Sequence, residues 1–184
     1  METPADRAIR PARRGDAKRI AEIYASYVEM SASTFEEQAP TAAEMEQRME
    51  GRPRLPWLVA LDPADTVVGF AYASPHHERS AYRWSVTCSV YLHESAQRRG
   101  LASALYRELF GVVRDLGYVT LYAGVVLPND ASVALHERLG FRPVGVYPHS
   151  GFKLGAWRDV GWWWLPLRDP PEQPGEPAEW DELA

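Results

Sequence analysis

Residues 86–106 read VTCSVYLHESAQRRGLASALY, and most of the chemistry this chain offers gathers in or near that stretch. Within it, Gln97-Arg98-Arg99-Gly100-Leu101-Ala102 joins an alternating, strand-like run to a helical pattern. The first N–H groups of a helix have no partner inside it and point outward, and the dipole there favours negative charge. Gly100 lets backbone approach a ligand closely, Ala102 keeps the next position small, and Arg98 and Arg99 add positive charge. A pyrophosphate suits such a turn. Two solvated arginines at a helix end would look the same, so the turn alone does not decide. No GxxxxGK(S/T) occurs, and no GxGxxG follows the first strand, which argues against a P-loop and a dinucleotide fold.

Proton-handling groups lie on either side. Side chains alternate along a strand, so Thr87, Ser89 and Tyr91 share one face and can hold a water. Cys88 points to the other face and reads as a small buried hydrophobe. Asn129, Ser132 and His136 recur at three- and four-residue spacing, which places them on one helix face. An imidazole titrates near neutrality, so His136 is either an acid–base group or a structural histidine bonded to backbone. His76 and His77 have no cysteine or acid at metal-ligand spacing, and no metal is expected.

The elements that must position these groups alternate along the chain. A short strand spans 7–11, and Asp16 caps a helix over 17–30 whose Ile20, Ile23, Tyr24 and Tyr27 form one apolar face. Thr41 with Glu44 makes a capping box for a short helix ending near Glu50. PWLVALD and TVVGFAYAS form a hairpin across DPAD, and 82–92 is the third strand of that meander. A helix over 99–116 turns Leu101, Leu105, Leu109, Val112 and Leu116 to the core and stops at Gly117. A buried strand follows over 118–126, apolar on both faces. Next come an Asn129-capped helix ending at Gly140 and strands at 141–147 and 157–167 separated by an HSGFKLG loop. The order β-αα-βββ-α-β-α-ββ predicts an α/β fold, a mixed and mostly antiparallel sheet with helices on both faces.

The chain has 184 residues, enough for one domain with a real core. Its net charge of −5 equals the excess of six acids over one arginine in residues 168–184, so the remainder is neutral and carries no nucleic-acid footprint. That proline-rich acidic tail is expected to be disordered or loosely docked, leaving 1–167 as the folded domain. A single cysteine fits a reducing compartment, and no apolar run reaches membrane-spanning length, so a cytoplasmic protein is expected.

The turn, the SVYL strand before it and the leucine-spaced helix after it resemble the acetyl-CoA site of the GCN5-related N-acetyltransferases. PWLVA, GFAYASP, AYRW, LPNDASVALHERLGF and GFKLGAWRDVGWW together are similar to the phosphinothricin N-acetyltransferase family over residues 7–167. That resemblance implies transfer of acetyl from acetyl-CoA to the α-amino group of a small amino acid or glutamate analogue, by direct attack in a ternary complex, within a homodimer. It implies that the backbone of Val90, Tyr91 and Leu92 holds the pantetheine arm and that residues 98–103, Arg98, Arg99, Gly100, Leu101, Ala102 and Ser103, hold the pyrophosphate. Asn129 and Ser132 would meet the cofactor arm. Phe35, Tyr72, Arg79 and Tyr82 would form the acceptor pocket, with Lys153 leaning on an anionic acceptor. An arginine fork suits a carboxylate.

One position departs from the family. Its general-base carboxylate falls at Thr87, and a threonine cannot accept a proton at neutral pH. Either His136, or a water held by Thr87, Ser89 and Tyr91, takes the base's place, or the chain is a silent acyl-CoA-binding module. The intact turn, Asn129, His136 and Arg79 favour the enzyme.

Overall fold

The computed structural model describes residues 8–181. Seven strands form one sheet in the order β1-β2-β3-β4-β5-β7-β6. They are β1 (Ile9–Pro11), β2 (Trp57–Leu61), β3 (Val67–Pro75), β4 (Ser85–Leu92), β5 (Thr120–Leu127), β6 (Arg142–Lys153) and β7 (Ala156–Pro166). The helices are α1 (Ala17–Met30), α2 (Ala42–Met49), α3 (Leu101–Asp115) and α4 (Asp130–Arg138). Every strand pair is antiparallel except β4 with β5.

Two apolar clusters sit on opposite faces of the sheet. On one, α3 packs Leu101, Leu105, Leu109 and Val113 against Val86, Cys88, Leu121 and Ala123. On the other, Ile20, Ile23 and Tyr24 of α1 and Met45 and Met49 of α2 cover Trp57, Phe70 and Tyr91. The helices of that second face cluster with β2–β4. The same face of β5, carrying Tyr122 and Gly124, stays half-covered or open. The strand expected to be apolar on both faces is therefore buried on one.

Local chemistry explains most boundaries. Thr41 and Glu44 form the expected reciprocal cap on α2. Asp16 does not cap α1 through its side chain. Its carboxylate instead takes two bonds from Arg10, at 2.7 and 3.0 Å, and one from the Arg13 amide. A full ion pair outcompetes a cap hydrogen bond. β4 starts at Ser85 because Ser80–Tyr82 winds into one 3-10 turn. On α3 the buried position near the C-terminus is Val113 rather than Val112, and Tyr106 joins the core.

The expected HSGFKLG loop is mostly strand. β6 continues to Lys153, and Leu154 and Gly155, at φ of 53° and 72°, make the hairpin's two-residue turn. Positive φ at both central positions matches the twist of the flanking strands. Of the two states expected for the acidic tail, disordered or loosely docked, the contacts favour docking. Ala178 N–H bonds Leu116 O, Trp180 N–H bonds Arg54 O, and the Trp84 indole donates to Gly175 O. Arg83 pairs with Glu176 and Arg52 with Glu179. Acids that read as solvating charge serve as partners for exposed arginines.

Candidate active site

The parallel pair β4–β5 is short. It registers Ser85 with Thr120, Val86 with Leu121 and Thr87 with Tyr122, and then the strands part. β4 keeps β3 as a partner up to Leu92. Backbone groups on its other edge therefore face a cavity of about 540 Å³ lined by Cys88 through Leu92, by Gly124 to Val126 of β5, and by Asn129, Ser132 and His136. Tyr27 braces the parted strand from α1, donating to Leu92 O at 2.7 Å and accepting from Leu92 N–H at 3.2 Å.

The turn before α3 closes one end of this cleft. Arg98 and Gly100 both adopt positive φ, 60° and 77°, which swings the chain into the helix. Gly100 is the N-cap, and the first intrahelical bond is Ala104 N–H to Gly100 O at 3.1 Å. No heavy atom lies within 4 Å of where a Gly100 β-carbon would stand, so the glycine is required by its dihedral angle. Arg98, Gly100, Leu101, Ala102 and Ser103 all line the cleft. A splayed strand with a helix N-terminus beyond it fits an extended pantetheine arm ending in a pyrophosphate.

At the cleft's other wall, the Asn129 carboxamide caps α4 by accepting from Ser132 N–H at 3.1 Å. His136 is buried. Its Nδ1 lies 2.8 Å from Ser132 O and its Nε2 3.3 Å from the Tyr106 hydroxyl. A carbonyl only accepts, so Nδ1 carries the proton, and Nε2 is the lone-pair nitrogen. Burial pushes the imidazole pKa below its ordinary value, offset in part by the bond to Ser132, so His136 is neutral at neutral pH. Burial pushes the Cys88 thiol up to about 12, opposed in part by Tyr106, which removes it as a nucleophile. Sequence reading passed over Tyr106. Its only signal is the four-residue step from Ala102, which places it on the helix face that begins at the anion turn.

Thr87, Ser89 and Tyr91 do lie on the α1–α2 face. Tyr91 is enclosed by Tyr24 and Tyr27, each edge-on at 4.9 Å, and burial raises its phenol well above the usual range. It can donate a hydrogen bond but cannot serve as a base. Tyr72 stacks on Trp57 at 4.1 Å, and burial raises its phenol too, opposed by a bond with Ser89. Phe35 lies over Gly151, where a β-carbon would stand only 2.5 Å from its ring.

Arg79 and Tyr82 are exposed and line a second cavity with His76. They are not gathered with Phe35 and Tyr72 around one point. Lys153 has a different task from the one expected. It is buried, and its ammonium donates to Thr34 O at 2.7 Å and Glu36 O at 2.8 Å. Those bonds fasten the segment that carries Phe35 and leave the charge committed, so Lys153 positions a wall of the site.

A strand pair that parts beside a helix N-terminus makes a site for an extended ligand that ends in an anion. Residues 9–162 match the acetyltransferase (GNAT) domain family, and the chain belongs to that family. It is 39% identical over 172 residues to a phosphinothricin N-acetyltransferase of Streptomyces viridochromogenes, covering 92% of this chain and 93% of that one. It is 32% identical over 155 residues to an L-methionine sulfoximine/L-methionine sulfone acetyltransferase of Pseudomonas paraeruginosa, covering 83% and 90%. A crystal structure of a phosphinothricin acetyltransferase from Sinorhizobium meliloti in complex with acetyl-CoA superposes with a TM-score of 0.86 at 36% identity, over 92% of this chain and 95% of that one.

Proposed function

We propose that this N-acetyltransferase transfers acetyl from acetyl-CoA to the α-amino group of a small amino acid or glutamate analogue of the phosphinothricin or methionine sulfoximine type. The observation that carries the reading is the wedge between β4 and β5. It presents unpaired strand edge to one ligand and, on the α1–α2 face, an aromatic wall to another. Acetyl-CoA supplies the activated thioester. The edge of Val90, Tyr91 and Leu92 orients its arm, and Arg98, Arg99, Gly100, Leu101, Ala102 and Ser103 cradle its phosphates, with Asn129 and Ser132 alongside. Proximity in a ternary complex supplies much of the acceleration. His136, with Tyr106 against its lone-pair Nε2, is placed to relay a proton from the attacking amine to the departing thiolate. Phe35 and Tyr72 wall the acceptor site, and Arg79 with Tyr82 lines the separate second cavity.

The test is release of free CoA from acetyl-CoA, with purified protein and a panel of phosphinothricin, methionine sulfoximine, methionine sulfone and glutamate. Turnover of at least one is expected. Silence on all four, with turnover of an N-terminal peptide or a polyamine, would move the acceptor to another class.

We also propose that the enzyme is a cytoplasmic homodimer that buries the β6–β7 hairpin. β6 is a 12-residue edge strand, and Val144, Val146, Tyr147, Phe152 and Trp157 stand exposed along the hairpin, Trp157 at 64%. A long apolar edge invites pairing unless it is covered. Light scattering should give a dimer for the wild type and a monomer for Trp157→Glu with unchanged circular dichroism. A monomeric wild type would refute it.

A further inference from the structure

The unexplained group in this site is His76, one residue beyond β3. Its amide bonds Ser85 O at 3.3 Å, which carries the β3–β4 ladder one step past Pro75. That step sets its imidazole beside Thr87, with Nδ1 3.4 Å from the threonine hydroxyl. Three elements fix the ring. Tyr122 of β5 stacks on it at 4.2 Å, Trp162 of β7 meets it edge-on at 5.9 Å, and Tyr82 meets it edge-on at 6.1 Å. A surface histidine without a task is rarely held from three sides.

Its position along the site matters as much. Thr87 is the last β4 residue paired with β5, and the cofactor cleft opens at Cys88. His76 and Val86 line the second cavity, of about 890 Å³. Thr87 stands between the two. Resting on the acetyl-transfer reading above, we propose that His76 takes the proton of the acceptor ammonium through the Thr87 hydroxyl and passes it to solvent in the second cavity.

The steps balance. Thr87 Oγ1 accepts one proton from the ammonium, directly or through a water on Ser89, as its own hydroxyl proton moves to His76 Nδ1. The free amine attacks the thioester carbonyl. A C–N bond forms, the C–S bond breaks, and the second amine proton ends on the thiolate as CoA–SH. The imidazolium then releases its proton, so each turnover yields one proton to solvent.

The electrostatic surroundings suit a proton acceptor. Burial, and then His77, hold the His76 pKa below its ordinary 6.5, so the ring is neutral and able to accept at neutral pH. Of the charged groups lining that cavity, Arg83 pairs with Glu176 and Arg52 with Glu179, which leaves Arg79 and Glu78 with opposite signs. The phenols of Tyr82 and Tyr122 meet the ring, and the phenol of Tyr118 lines the same cavity. His136 does not share this role: its lone-pair Nε2 is held by the Tyr106 hydroxyl, and it belongs to the opposite face, with α3.

The decisive experiment is the pH dependence of kcat/KM for an acceptor that the wild type turns over, compared with His76→Gln and His76→Gln/Thr87→Glu. The wild type should show a limb with an apparent pKa below 6.5. His76→Gln should lose that limb and fall about a hundredfold or more at neutral pH, with acetyl-CoA affinity unchanged by calorimetry. Thr87→Glu should restore a limb in the doubly substituted protein. A limb that survives His76→Gln, or that disappears only in His136→Gln, overturns the assignment. Nitrogen-15 spectra of the imidazoles give a second answer that needs no acceptor. Wild-type His76 should be the Nε2–H tautomer, and Thr87→Val should shift its tautomer balance and its titration. No change there refutes the coupling even if every acceptor fails, whereas that failure alone refutes only the acceptor class.

Discussion

The two histidines mark two differently built halves of one site. His136 is sealed beneath the cofactor cleft, with Nδ1 on a carbonyl of its own helix and Nε2 on Tyr106. His76 is half-buried at the open face, held by rings from β5, β7 and the Ser80–Tyr82 turn, with one nitrogen on a threonine. The first is fixed by local helix geometry and burial, so its tautomer is set by the fold. The second is fixed largely by long-range stacking, so its chemistry depends on Tyr122 and Trp162, 46 and 86 positions away in sequence. The cofactor half is built from backbone, a glycine turn and an asparagine cap. The acceptor half is where Thr87 and His76 stand together.

The largest effect on the cofactor half alone should come from Gly100. Its φ of 77° is left-handed, and open space around the β-carbon position means that only the dihedral resists substitution. Gly100→Val places a β-branched residue there at a cost of about 1–2 kcal/mol. If the turn relaxes to relieve that strain, the loss appears as binding energy, a rise of roughly five- to thirtyfold in the acetyl-CoA dissociation constant. The acceptor KM should hardly move. An equal rise in both constants would mean that the two halves are not independent.

The mirror experiment is Lys153→Met. Two charge-assisted bonds to Thr34 O and Glu36 O disappear, and the apolar stem is kept. The fold should lose about 2–3 kcal/mol. The segment bearing Phe35 loosens, so the acceptor KM should rise severalfold while acetyl-CoA affinity is held. A substrate-binding lysine would give a different signature: loss of discrimination for anionic acceptors with unchanged thermal stability.

That contrast also explains what could be read without coordinates. The element order, the capping box at Thr41 and Glu44, the Asn129 cap and the turn at Gly100 are local, and each was legible from a few neighbouring residues. The long-range assignments were not. Lys153 looked like a cation for an anionic acceptor because its true partners are carbonyls more than a hundred residues earlier. HSGFKLG looked like a loop because its glycines and serine are turn-formers, yet Gly151 is small so that Phe35 can lie over it. His76 carried no motif. Its pairing with Thr87 follows from the β3–β4 register, which places Ser74 opposite Thr87 and so brings the residue after Pro75 alongside.

The smallest expected effect is the one that separates the two imidazoles by stability. Burial lowers the His136 pKa in the folded protein below its ordinary 6.5. Between the lowered value and 6.5 the unfolded chain binds a proton that the folded chain does not, so stability rises with pH across that window and falls as it is acidified. Asp16 and Glu36 act elsewhere. Burial opposes the arginine partner of Asp16, and Arg48 leads the lowering at Glu36, so both fold with lowered pKa values and lose stability only on acidification below about their ordinary 3.8 and 4.5. Thermal unfolding of wild type and His136→Gln from pH 7 to 5 therefore isolates the histidine. The variant should start about 1 kcal/mol less stable, for the lost hydrogen bond, and show a shallower slope. The slope that remains should be reduced again in His136→Gln/His76→Gln, because burial and His77 also lower the His76 pKa. If the slope is unchanged by removing His136 and vanishes with His76 alone, the sealed histidine is not the neutral one, and the division between the two halves fails.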